Sequence, residues 1–113
     1  MNNANVIVEI TAKLRRVAVL LRKHHIIRLP QVCEAFADRL EKSGDKAQAA
    51  EVLADIKKMF GGMGTINDIS FGDMEEGYLT QTEEQKKDNV EFGQLLDDIY
   101  GACTGQYPHP GAP

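Results

Sequence analysis

The residues whose types and spacing best suit specific chemistry lie in one loop, Phe60-Gly61-Gly62-Met63-Gly64-Thr65-Ile66-Asn67-Asp68-Ile69. Three glycines fall within four positions, and an Asn-Asp pair follows. Glycine serves where a backbone needs positive φ or where another group approaches it closely. Backbone amides presented by such a loop can hold an anion or a partner's main chain. A nucleotide P-loop is excluded, because Gly-Lys-Ser/Thr is absent and the loop follows a helical pattern rather than a strand. Gly61, directly after that pattern, is accounted for by helix capping. Gly62 and Gly64 are not. The motif residues to follow are therefore Gly61, Gly62, Met63, Gly64, Thr65, Asn67 and Asp68. The bland reading is a tight reversal that tucks Met63 and Ile66 into a core while Asn67 or Asp68 bonds turn amides. The sequence favours that architectural role, with binding as the alternative.

Other reactive residue types form no constellation. His24 and His25 are adjacent, and neighbours on a helix point about 100° apart, so they do not readily share a metal. They read as polar residues at a helix end. Cys33 and Cys103 lack motif spacing and read as small buried hydrophobes of a reducing compartment. No nucleophile–base–orienter set is evident, which argues against an enzyme. No cofactor or metal is expected.

Charge is more telling. The chain of 113 residues has a net charge of -4, but residues 1–30 sum to +5 and residues 67–113 to -8. Lys13, Arg16 and Lys23 fall broadly on one side of the first helical pattern, and Arg15 and Arg22 repeat at seven. No aromatic residue interleaves these cations, which disfavours nucleic acid. Pairing of this face with the acidic C-terminal helix is the better expectation. The acids Asp68, Asp73, Glu83, Glu84, Asp88, Glu91, Asp97 and Asp98 are the candidate partner-binding surface, by electrostatic steering of a basic protein. Plain solubility is the bland alternative.

The elements that position these residues follow from periodicity. Ile10, Leu14, Val17 and Leu21 mark a helix over residues 5–25, widened by Ala18, Val19 and Leu20. Leu29-Pro30 opens a second helix, with Val32, Phe36 and Leu40 as its stripe and Cys33 and Ala37 beside it; Gly44 is its expected left-handed cap. Asp45 caps a third, with Gln48 completing a capping-box-like pair and Ala49, Val52, Leu53, Ile56, Met59 and Phe60 buried. Gly61 stops it. Residues 61–81 read as an ordered excursion held by Ile66, Ile69 and Phe71, with residues 72–80 looser. Thr82-Glu83-Glu84-Gln85 is a capping box opening a fourth helix, whose stripe is Phe92, Leu96, Ile99 and Cys103 and which ends at Gly105. The fold class is all-α, four helices with a long Gly-rich loop between the third and fourth. Residues 1–105 form one domain and residues 106–113 a Pro-rich, mobile tail. No run approaches the roughly 20 apolar residues of a membrane span. No signal peptide is evident, so the expected location is cytoplasmic.

The loop motif resembles that of a small uncharacterised bacterial domain family, Phe-Gly-Gly-Met-Gly-Ser-hydrophobic-Asn-Asp. Leu20-Leu21-Arg22 is similar to the end of the family's first helix. Phe36-Ala37-Asp38-Arg39-Leu40-Glu41 resembles its aromatic-Ala-x-x-Leu-Glu segment, with Phe36 where tryptophan is usual. Asn89-x-x-Phe92 through Ile99-Tyr100-x-Ala102 resembles its last helix. The resemblance spans residues 14–103 and implies the fold and the importance of the loop, with no substrate. Small orphan domains of this kind often prove to be immunity proteins. The expected function is thus a non-enzymatic protein-binding module, an immunity-type protein neutralising a toxin, and a monomer or homodimer. The alternative is a small-ligand or anion-binding domain using Gly62, Gly64, Asn67 and Asp68.

Overall fold

The computed structural model describes residues 3–60, 66 and 69–105. Among these residues it is all-α, with four helices and one small hairpin: α1 (Asn3–Lys23), α2 (Leu29–Lys42), α3 (Lys46–Lys57), β1 (Asp73–Glu75), β2 (Tyr78–Thr80) and α4 (Glu83–Cys103). The glycines and Asn-Asp pair of the loop (61–65, 67–68) and the tail (106–113) lie outside the described residues.

α1 is central and packs against α2 and α4. Ile10, Leu14, Val17, Ala18, Leu20 and Leu21 are fully buried, whereas Val19 faces solvent. Each large side chain so buried contributes about 1.5–3 kcal/mol. The helix ends in a Schellman motif. His25 takes the left-handed position at φ 64°. Its N–H donates to the Arg22 carbonyl at 3.1 Å, and the Ile26 N–H to that of Leu21 at 2.9 Å. Ile26 then folds back onto the core. The chain continues through a γ-turn, with Arg28 at φ 76° and ψ -56° and the Leu29 N–H donating to the Ile27 carbonyl at 3.0 Å.

α2 buries Pro30, Cys33, Ala37 and Leu40. This corrects the expected stripe: Val32 is 39 % exposed, and Phe36 is half-buried with the Arg39 guanidinium 5.6 Å from its ring centre. Positions 30, 33, 37 and 40 share one face, and Val32 lies a helical step away from it. Gly44 is also corrected. Ser43 ends α2 in extended conformation, its hydroxyl donating to the Leu40 carbonyl at 2.6 Å. The Gly44 N–H instead donates to Gln48 Oε1 at 2.6 Å. Asp45 caps α3, accepting from the Gln48 N–H at 2.8 Å.

α3 stops three residues before the expected Phe60. Lys58, Met59 and Phe60 donate to the carbonyls of Asp55, Ile56 and Lys57, the tighter i to i−3 pattern of a closing turn. Ile66 and Phe71 are buried and Ile69 packs on the core, as their bulk requires. Residues 73–80 were expected to be loose. They form an antiparallel hairpin pairing Asp73 with Thr80 and Glu75 with Tyr78. Its two-residue turn, Glu76 at φ 51° and Gly77 at φ 84°, has the two positive φ values of a type I′ hairpin. α4 opens with both halves of the Thr82–Gln85 capping box and closes on Gly105 at φ 77°.

Candidate functional site

The two oppositely charged ends of the sequence meet along an antiparallel α1–α4 seam. Lys13 pairs with Asp98 at 3.0 Å, and Lys23 with Glu84 at 2.7 Å and Asp88 at 2.8 Å. Arg16 grips Glu91 with two bonds, Nε to Oε2 at 2.6 Å and a terminal nitrogen to Oε1 at 2.9 Å. The periodicity explains the match, since 13, 16 and 23 share an α1 face and 98, 91, 88 and 84 share an α4 face running the other way. The other two arginines turn to α2: Arg15 to Asp38 and Glu41, and Arg22 to Glu34 at 2.5 Å.

One node of the seam is shielded from water. Asp88 is 5 % exposed. Its Oδ2 receives Lys23 Nζ and stands 2.8 Å from His24 Nε2. Lys23 first, and His24 second, hold the Asp88 carboxyl below its ordinary value. Arg16 does the same for Glu91. The His24 ring stacks on Phe71 with centroids 4.0 Å apart and planes 9° from parallel, and Phe71 also packs on Phe92. Asn89 reads the Phe71 backbone on both sides, accepting its N–H at 2.8 Å and donating to its carbonyl at 2.9 Å. Gln81 donates to that same carbonyl at 2.7 Å. The end of α1, the start of α4 and the chain entering the hairpin are thereby locked together.

Beyond this node the molecule presents its hairpin. Residues 59–85 contain no Lys or Arg. Asp73, Glu75, Glu76 and Glu83 are exposed there, around Tyr78 at 75 % and Leu79 at 49 % exposure. A polar hollow of about 410 Å³ at the hairpin base is walled by His24, His25, Ser70, Phe71, Asp73 and Glu84.

The eight acids singled out in the sequence thus divide. Glu84, Asp88, Glu91 and Asp98 engage α1. Among the described residues Glu83 pairs only with Lys86, one turn along its own helix. Asp73 and Asp97 are exposed without an ion-pair partner among the described residues, and Asp68 lies outside them. Glu75 and Glu76 belong to the acidic stretch legible in the sequence, whereas sequence reasoning missed Tyr78 and Leu79, because Glu76-Gly77 is not one of the usual two-residue hairpin pairs. It also missed the contacts of His24 with Asp88 and Phe71, which join positions 64 and 47 residues apart.

Both cysteines are free. Burial pushes the Cys33 thiol up to about 12 and the Cys103 thiol up to about 11, which makes them poor nucleophiles. Among the described residues no group of three His, Cys, Asp or Glu is arranged to hold a metal. No helix among them is long and apolar enough to cross a membrane.

Residues 31–76 match the model of one family, a domain of unknown function (DUF6966). The match runs from α2 through α3 into the hairpin turn, less than half of the chain. No curated protein and no solved structure matches the chain significantly.

Proposed function

We propose that this chain is a non-enzymatic protein-binding module, an immunity-type protein that neutralises a basic toxin partner. The observation that carries the reading is the outward acidic surplus of the hairpin end. The cations of α1 are spent on α2 and α4, while Asp73, Glu75, Glu76 and Glu83 keep their charge towards solvent. Tyr78 and Leu79 among them supply apolar contact area, and aromatic anchors inside a charged rim are the usual make-up of a protein interface. The same internal pairing counts against nucleic acid, because the cations that would meet phosphates already face carboxylates. Weakly acidic thiols argue against cysteine chemistry, and two free cysteines suit a reducing, cytoplasmic setting.

The test is calorimetric titration against the products of genes adjacent to this chain's own. Binding in the micromolar range or tighter, weakening as salt rises, is expected. Absence of binding to any of them refutes the proposal.

A further inference from the structure

The hairpin leaves a backbone edge open along β2. Tyr78 and Thr80 stand opposite Glu75 and Asp73, and a two-residue turn makes these the hydrogen-bonded pairs. Successive residues of an antiparallel pair alternate, so the N–H and C=O of Leu79 point away from β1. Neither has a hydrogen-bond partner among the described residues. Every residue of β2 is exposed. An open edge of β-prone residues is a template for another strand, and folded proteins usually blunt it with lysine, proline or a bulge. Tyr78-Leu79-Thr80 carries none of these.

The side chains indicate which strand fits. Directly opposed residues share one face of a hairpin. Asp73 and Glu75 therefore lie on the face of Thr80 and Tyr78, and Leu79 lies on the other. In a strand added beside β2, the residue opposite Leu79 meets an apolar side chain. The residues on either side of it meet Tyr78 and Thr80, with two carboxylates one strand beyond. A cation there gains the face of the Tyr78 ring. It also gains the field of Asp73, Glu75 and Glu76, which no Lys or Arg between residues 59 and 85 offsets. The same acids repel a second copy of the hairpin, so the edge admits a basic strand and resists self-pairing.

We propose that a basic partner adds an extended segment antiparallel to β2, placing an apolar residue opposite Leu79 between two cations. This rests on the acidic hairpin being the recognition surface, and it specifies that the surface is read through backbone hydrogen bonds as well as charge.

The probe is the peptide acetyl-Lys-Arg-Val-Arg-Lys-amide. Its control is the same peptide N-methylated at valine, which keeps every charge and loses the N–H that reaches the Leu79 carbonyl. Amide chemical-shift titration of the full chain reads both. The expected result is saturable shifts at the hairpin, slower hydrogen exchange of the Leu79 N–H at saturation, and the N-methyl peptide bound about tenfold more weakly, the size of one net hydrogen bond. Leu79→Pro, a substitution that an edge strand tolerates, should weaken the parent peptide to a similar extent with the helix amides unmoved. Equal affinity of the two peptides at the hairpin overturns the added strand and leaves the acidic recognition surface standing. Shifts outside the hairpin, or no titration by either peptide, also overturn the added strand, and titration with the neighbouring gene products decides separately whether the chain recognises a protein.

Discussion

Asp88 shows how a single residue ties the charge pattern of the sequence to the stability of the molecule. Its carboxylate gathers Lys23 and His24 at the end of α1, and His24 carries the stack on Phe71. Because its folded value lies below the ordinary 3.8, its contribution is complete above pH 3.8. It is lost as the pH falls through the lower, folded value. Asp88→Asn should therefore cost about 1–3 kcal/mol near neutral pH, by leaving Lys23 and His24 without their shared acceptor. It should also flatten the acid limb of the stability curve. Urea unfolding from pH 2 to 7 measures both effects, and an unchanged acid limb would count against this role. His25 makes a prediction of opposite sign. A left-handed backbone costs a non-glycine residue about 1 kcal/mol, so His25→Gly should raise stability by roughly 0.5–1 kcal/mol in the same assay.

At the level of elements, the caps carry the sharpest expectations. Thr82→Ala removes the acceptor of the Gln85 N–H and should cost about 0.5–2 kcal/mol by urea denaturation. Gly77→Ala sets a Cβ in open space but at φ 84°. It should cost about 1–2 kcal/mol locally, seen as faster amide exchange in β1 and β2. These cases also mark where the sequence was legible. Thr82 to Gln85 is a contiguous signal of four residues, and the capping box forms as that signal requires. Asp45, Gly105 and the burial of Ile66 and Phe71 are legible too, each fixed by local chemistry or bulk. Glycine at position 44 permits a left-handed cap, yet permission is not requirement: Ser43 closes α2, and His25 takes a left-handed cap where no glycine stands. The hairpin is not legible because its strands are three residues long and β2 is exposed throughout, so no alternation marks it. The i, i+4 spacing of Val32, Phe36 and Leu40 suggests a core stripe, whereas the buried face runs through Pro30, Cys33, Ala37 and Leu40.

The whole molecule is organised by charge. α1 is a cationic rod neutralised by α2 and α4, and the expectation that the +5 and -8 ends pair internally agrees with the seam of Lys13, Arg16 and Lys23. What the sequence could not assign was which acids remain free, because that depends on the antiparallel register of α1 and α4. The answer shifts the proposed recognition surface from the length of α4 to the hairpin end. Individual surface ion pairs contribute only about 0–1 kcal/mol, so the seam sets register and shields Asp88 more than it holds the bundle together. The surface left over is the central claim. The most direct test is calorimetric titration of a neighbouring gene product with the native chain and with a variant carrying Asp73→Lys, Glu75→Lys and Glu76→Lys, using Asp97→Lys as a control away from the hairpin. The account predicts micromolar or tighter binding by the native chain and the control, and at least a hundredfold loss in the hairpin variant. Undiminished binding by the hairpin variant, or loss in the Asp97 control alone, would contradict it.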